Sequence, residues 1–380
     1  MRIYDEDRRV TVSEDIGRLQ ACIGNSLDVN AIGKKRVSWI IGDAPSHYAK
    51  SPGIWNAAFH ALKLDAVYLP FDVDESRLGQ LVNILKQSER VMGGNVTVPY
   101  KLTIMDYLDE LDEKAEKIKA VNTVVRTKNG RLRGTNTDGK GFLDSILTPQ
   151  PGQKGPFIKT LRDMDVLMIG AGGAARAVAF DLVENLGHGR LLICNRTPET
   201  ALGLAEEIKH VHGNTTAIKE EELREVAPTA GLIINCSTKG QGGLRKASGG
   251  KVVTLAPYSA LAPAHPTGVR ETEAGKPELY RDWLSASLTD IEANNRASLD
   301  LALSIPLDVP FCDLVYFPTE TVFLRHGRIS GHRTINGKGM NVAQAADAFF
   351  QQVCREYLKQ AGNYNTKTYQ RLLEVMWKAW

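Results

Sequence analysis

Apolar residues change their spacing several times along the chain, and each change predicts an element. Arg36–Asp43, RVSWIIGD, is a short apolar run that closes on Gly-Asp, the pattern of a buried strand. Ala66–Val73, AVYLPFDV, is a second, and GIWNAAFHALKL between them has helical spacing. After Asp74, a good N-cap residue, Leu78, Leu81, Val82 and Leu85 repeat at helical period. GGNVTVP predicts a third strand. IKAVNTVVR and GRLRGTNTD predict two more, joined by a turn at Lys128-Asn129-Gly130. This alternation predicts a mostly parallel sheet over residues 36–147. Residues 1–35 are polar and weakly patterned, an extension that is partly ordered or adds one helix.

Thr148–Gly155, TPQPGQKG, interrupts the pattern and predicts a linker. Asp165–Gly170, DVLMIG, opens a second α/β unit over residues 160–344. A helix is predicted over Ala174–Leu186, stopping at Gly187. RLLICN and GLIINCST predict further strands. Residues 241 to about 290, rich in Gly, Ala, Pro and Ser, predict an insertion, with helical character in LTDIEANNRASLDLALS. CDLVYFP returns to strand character. The C-terminus is helical, with Val342, Ala346, Phe349 and Val353 on one face and Leu372, Leu373, Met376 and Trp380 on another. The fold class is α/β, in two domains.

Composition narrows the function classes. The 380 residues carry 47 basic and 44 acidic side chains, a net charge of +3, which gives no reason to expect a nucleic-acid or membrane partner. No apolar run is long enough to span a bilayer, and the acidic start, MRIYDEDRRV, lacks the apolar core of a secretory signal. The five cysteines are scattered and never in CxxC spacing, and the eight histidines form no HExxH-like pair. Neither disulfides nor a metal is expected, and a cytoplasmic location is.

IGAGGAARA carries the first chemistry. Gly170, Gly172 and Ala175 have GxGxxA spacing between an apolar strand and a helix, the context that gives this motif its meaning. The first glycine permits a tight turn, and the second lets backbone approach a pyrophosphate. The helix N-terminus then supplies N–H groups and positive potential. Gly170, Ala171, Gly172, Gly173 and Ala174 are therefore expected to bind a dinucleotide. At the end of the next strand stand Asn195, Arg196 and Thr197, with no acid for a ribose 2′-hydroxyl. Arg196 can lie on adenine and pair with a 2′-phosphate, which favours NADP over NAD.

Four polar clusters close strands or turns in the first unit: HYAKSP, NVTVPYK, AVNT and GTNTDGKG. Strand ends in open α/β sheets face the binding crevice. Each cluster alone is ordinary turn and capping chemistry. Together with GAGGAARA, NRT, INCSTKG and NGKGMNVAQAADAFF, in this order, they make a chain that resembles the shikimate dehydrogenase family, quinate/shikimate dehydrogenases included. The resemblance covers roughly residues 36–240 and 310–380. It implies an N-terminal α/β substrate domain, a Rossmann NAD(P)-binding domain, a cleft between them, and C-terminal helices (about 345–380) that pack back on the first domain.

The resemblance also implies a reaction: reversible hydride transfer between a nicotinamide and a ring hydroxyl carbon of shikimate, quinate or a close analogue, giving the 3-dehydro ketone. The family's catalytic lysine and aspartate fall on Lys101 and Asp138. Its substrate contacts fall on Ser51, Thr97, Asn122, Thr137, Tyr316 and Gln344, and further cofactor contacts on Cys236, Ser237, Gly337 and Met340. Gln344 lies off the apolar face of its helix, free to point into a cleft. Lysine can take the alcohol proton or stabilise a developing oxyanion, and aspartate can orient it. The expected assembly is a monomer or homodimer.

The chain departs from the family in three places. HSxSP becomes HYAKSP: Ser51 matches the second serine, while Ala49 or Tyr48 replaces the first, and Trp55 stands where histidine is common. Glu199 and Thr200 occupy the place of a second basic residue after Arg196. The insertion after Gly240 is unusual. Losing one hydrogen-bond donor can change substrate preference. A non-catalytic relative that senses a pathway metabolite is the alternative, and intact Lys101 and Asp138 argue against it. A glutamyl-tRNA reductase needs a cysteine nucleophile in the first unit, where only Cys22 occurs.

Overall fold

The structure is a computed structural model that describes residues 12–247, 251–270 and 277–380. The chain divides into two compact units: residues 1–141 with 342–380, and residues 142–341.

The first unit is built on a six-stranded sheet: β1 (Arg36–Gly42), β2 (Ala66–Asp72), β3 (Val91–Val96), β4 (Glu110–Leu111), β5 (Thr123–Arg126) and β6 (Leu132–Thr135), in spatial order β2-β1-β3-β5-β6-β4. β1 pairs in parallel with β2 and β3, as alternation with helices predicts. β4 and β6 form a third parallel pair, so three of the five pairings are parallel and the sheet is mostly parallel, as expected. β5 runs antiparallel to both β3 and β6, because the β5–β6 connection is a hairpin with Gly130 at φ +79°. β1 is buried at every position after Arg36, so both faces of the sheet are covered. One face packs Trp39, Phe71, Leu81 and Leu85; the other packs Trp55, Phe59, Phe349 and Met376. Ser51–Ala61 and the C-terminal helix Thr366–Ala379 pack together over the latter.

The extension adds a helix, one of the two expected forms. Ile16, Leu19, Cys22, Ile23 and Ile32 are buried in the first core. Helix Val12–Gln20 docks on helix Leu78–Gln87, so its sparse apolar residues gain their burial from a partner distant in sequence.

The second unit has a six-stranded parallel sheet of β7 (Val166–Ile169), β8 (Leu191–Cys194), β9 (Thr215–Ile218), β10 (Leu232–Asn235), β14 (Phe311–Asp313) and β15 (Thr334–Ile335). Its order, β15-β14-β10-β7-β8-β9, is that of a doubly wound dinucleotide fold. Between β10 and β14 the insertion forms an antiparallel sheet of β11 (Leu244–Ala247), β12 (Lys251–Thr254) and β13 (Val269–Arg270). The helix Pro277–Ser304 follows and takes in LTDIEANNRASLDLALS, the stretch expected to be helical. No helix among the described residues is long and apolar enough to cross a membrane.

Candidate active site

The route to Lys101 starts at β3. Its backbone stays paired through Val96, whose N–H donates to the Asn122 carbonyl at 2.8 Å, and Thr97, whose N–H donates to the Ile41 carbonyl at 2.8 Å. Pro99, which has no N–H to give, ends the pairing. The buried Tyr100 then fixes the turn by donating its hydroxyl to the Val73 carbonyl at 2.7 Å. The Lys101 carbonyl accepts from Val121 N–H at 2.7 Å. With its backbone held on both sides, Lys101 places Nζ 2.5 Å from Asp138 Oδ2, and both side chains are largely buried.

Asp138 opens helix Asp138–Leu147, where a carboxylate is favoured by the helix dipole. Its second oxygen accepts from Asn122 Nδ2 at 2.8 Å. That amide also reaches Thr137 Oγ1 at 3.0 Å and Gln344 Oε1 at 3.3 Å, while Asn122 Oδ1 accepts from Thr137 N–H at 2.8 Å. Gln344 is therefore a buried member of the cluster. It points off the apolar face of its helix into this polar cluster, and Gly141 lets the two helices close around it. A Cβ at Gly141 would sit 2.6 Å from Gln344 Cβ.

The structure thus gathers Lys101, Asp138, Asn122, Thr137 and Gln344 in the first unit. Thr97 lies beside them in sequence, half-buried after β3. Ser51 begins helix Ser51–Ala61, buried, and hydrogen-bonds the hydroxyl of Tyr68. Three more polar residues complete the floor. Tyr68 donates to Asn95 Oδ1 at 2.7 Å, and Asn95 Nδ2 donates to Thr123 Oγ1 at 3.1 Å. Asn95 belongs to NVTVPYK and Thr123 to AVNT, whereas Tyr68 lies in a strand that motif reading passed over.

HYAKSP resolves into separate contacts. The Tyr48 hydroxyl donates to Asp43 Oδ1 at 2.9 Å, and Lys50 Nζ lies 5.6 Å from the centre of the Trp380 ring. Trp55 is fully buried, 4.7 Å from Tyr68 and 5.1 Å from Phe349 between ring centres.

In the second unit, Gly170 follows β7 at φ +121°, and a Cβ there would meet the Cys236 backbone at 2.6 Å. Only glycine lets these two loops touch. Gly172 caps helix Gly173–Val183, and a Cβ there would meet nothing within 4 Å. The space above it is open, with helix N–H groups beneath, as a pyrophosphate requires. A cavity of about 230 Å³ is lined by Gly170, Ala171, Gly172, Asn195, Arg196, Thr197, Cys236 and Ser237. These residues fit a dinucleotide. Gly173 and Ala174 form the first turn of the helix.

Tyr316, Gly337 and Met340 do not line this cavity. Tyr316 is half-buried, and burial pushes its hydroxyl up to about 12. Gly337 packs on Leu314, whose carbonyl oxygen lies 2.0 Å from where a Cβ would stand, and Met340 is buried. The cavity adds Thr238 and Lys239 of INCSTKG, and Glu220, Leu255 and Ala264 from outside the quoted motifs. Below it, buried Asp313 accepts from Asn235 Nδ2 at 2.9 Å, Val315 N–H at 2.9 Å and the Thr321 hydroxyl at 2.6 Å. Burial outweighs these bonds and pushes its carboxyl up to about 7.

Known proteins carry both arrangements. Residues 40–124 match the shikimate dehydrogenase substrate binding domain, and residues 155–249 match shikimate / quinate 5-dehydrogenase. Shikimate dehydrogenase (NADP(+)) of Lysinibacillus sphaericus is 33% identical over 311 residues, covering 82% of this chain and 89% of its own. The Bacillus subtilis enzyme of the same name is 32% identical over 316 residues, covering 83% and 90%. The chain belongs to the shikimate dehydrogenase family. Its structure is similar to that of Thermus thermophilus shikimate 5-dehydrogenase in complex with NADP(H) and shikimate, with a TM-score of 0.59, 25% identity, and coverage of 90% of this chain and 99% of that one.

Proposed function

We propose that the protein is an NADP-dependent dehydrogenase that interconverts shikimate and its 3-dehydro ketone. The observation that carries this reading is the Lys101–Asp138 pair, 2.5 Å apart and fixed by Asn122. The matching relatives named shikimate dehydrogenase (NADP(+)) support it. Gly170, Ala171, Gly172, Asn195, Arg196, Thr197, Cys236 and Ser237 would hold the dinucleotide, which when bound supplies or accepts the hydride. The chain's own part is the proton. Lys101 gives one to the ring oxygen as the ketone is reduced and takes it back as the alcohol is oxidised. Asp138 orients the ammonium and compensates its charge, and Asn122 holds Asp138. Thr97, Thr137 and Gln344 bind ring hydroxyls, Ser51 binds the carboxylate, and Tyr316 is the substrate contact that the second unit offers. In this reading Gly337 and Met340 act through packing, while Gly173 and Ala174 present the helix N–H groups.

HYAKSP favours a second reading, in which quinate or a close analogue is preferred. Tyr48 is bonded to Asp43 and Lys50 lies over Trp380, which leaves Ser51 the serine of this motif for a carboxylate. One assay separates the two readings. Shikimate and quinate are each mixed with NADP and with NAD, and reduced-cofactor absorbance is followed. Shikimate with NADP is expected to give the highest kcat/KM. A higher value for quinate establishes the second reading, and silence in all four mixtures overturns both.

A further inference from the structure

We propose that Lys239 is a ligand of the adenosine half of the dinucleotide, aimed by Glu220 and by the inserted segment between β10 and β14. The inference rests on the dinucleotide reading above and gives that site a further residue and the insertion a role.

The argument starts from position. In a doubly wound sheet the ends of the first strands take the adenosine side of the ligand. Glu220 follows β9, the strand beyond β8, whose end carries Asn195, Arg196 and Thr197. Glu220 and Lys239 both line the cavity that those residues line. Their ion pair therefore lies on the adenosine side.

The ammonium is held on two sides. Lys239 Nζ lies 2.5 Å from Glu220 Oε1 and donates to the Ala262 carbonyl at 2.7 Å, with each side chain of the pair more than nine-tenths buried. A lysine ammonium has three N–H donors. Among the described residues the third has no acceptor. A buried charge with an unused donor on a cavity wall is costly unless a ligand atom completes it. Purine nitrogens and ribose oxygens are acceptors of the right kind.

The insertion supplies the clamp. Asn294 on helix Pro277–Ser304 donates to the Ser259, Ala262 and Pro263 carbonyls at 3.1, 3.0 and 2.9 Å and accepts from Ser259 N–H at 2.8 Å. Ser298 ties the same loop to His326 through Ser259, with 2.6 Å and 2.9 Å contacts. The loop that offers Ala262 to Lys239 is thus rigidly fastened. Leu255 and Ala264, also from the insertion, add apolar wall to the cavity. A pair that only anchored the insertion would have no need of two residues lining the cavity.

The test uses the full-length protein and two adenosine probes, ADP and adenosine 2′,5′-bisphosphate, titrated by calorimetry. Lys239→Met is compared with the double variant Lys239→Met/Glu220→Gln, which leaves no unpaired buried carboxylate. Both probes are expected to lose about tenfold or more in affinity in both variants, as loss of a charged hydrogen bond implies. Equal loss for the two probes marks a contact to the shared adenosine. Wild-type affinity in the variants, whatever their thermal midpoints, overturns the inference alone. Failure of the unmutated protein to bind either probe overturns the dinucleotide reading with it. A crystal structure of the unmutated protein with ADP is independent of variant folding. Lys239 Nζ within hydrogen-bond distance of an adenosine atom supports the proposal, and its absence from that shell refutes it.

Discussion

The polar groups of the two candidate sites are arranged in different ways. In the first, Asn122, Thr137, Asp138, Gln344 and Lys101 bond to one another. In the second, the loop residues face a cavity, and exposed Arg196 has no hydrogen bond or ion pair among the described residues. The difference follows from what each must do. A proton-transfer group needs one fixed position, which a closed network supplies. A site for a large ligand needs donors left open until the ligand arrives.

Breaking the closed network should have the largest effect. Lys101→Ala is expected to lower kcat by roughly 10²–10⁴-fold, the usual worth of a positioned proton-transfer group. Cofactor affinity, measured by NADPH fluorescence, should stay unchanged, because none of the cavity residues is altered. A near-normal kcat would remove Lys101 from the chemistry.

Much of this contrast was legible in the sequence, for different reasons in the two units. The strands β7 and β8 are continuous apolar runs, β1, β2 and β10 are largely apolar, and the glycine loop is a contiguous motif between a strand and a helix. Such local signals survive without a structure. The pairings inside the polar cluster did not show themselves. Tyr68 and Asn95 stand 27 positions apart, and Asn122 and Gln344 stand 222 apart. Tyr68 sits in a hydrophobic strand, where a hydroxyl looks incidental. Lys239 sits inside INCSTKG, but its partner Glu220 lies outside every quoted motif, and a pairing across a cavity leaves no spacing to detect. The β5–β6 hairpin was legible from its turn residues, whereas the pairing of β5 with β3 and the docking of helix Val12–Gln20 are set by partner choice, not periodicity.

Asp313 sharpens the contrast within the second unit, where it is a buried acid beneath an open site. Its native carboxyl holds a proton up to about pH 7, whereas an unfolded aspartate releases it near 3.9. Between these values the native state binds more protons, so this contribution is full below about pH 4 and is lost as pH rises through about 7. The integrated effect is up to about 4 kcal/mol. Asp313→Asn stays neutral and should flatten that fall. Urea unfolding of both proteins across the range checks it, and parallel profiles would show that Asp313 does not titrate there.

The two loop glycines should separate stability from binding. Gly170→Ala forces a left-handed backbone and a contact with the Cys236 backbone, and should cost about 1–3 kcal/mol of stability. Gly172→Ala meets open space, so its thermal midpoint should stay near the wild type while NADPH affinity falls. The measurement is a paired melt and fluorescence titration. A strongly lowered midpoint for Gly172→Ala would mean that this space is part of the packing and not a ligand cradle.

Arg196 gives the smallest and most selective effect. It is exposed at the end of β8, with Glu199 in the first turn of the next helix and no second basic residue beside it. A single exposed arginine on a phosphate is worth about one charged hydrogen bond, so Arg196→Leu should weaken NADP by about tenfold. NAD has no phosphate at the ribose 2′ position and should bind the variant nearly as before. The ratio of the two dissociation constants is therefore the quantity to measure, since a general disturbance of the loop cancels in it. An equal loss for both cofactors would mean that Arg196 packs on adenine and leaves the 2′-phosphate to another group. The NADP preference would then have to come from Asn195 or Thr197, the other residues of that strand end that line the cavity.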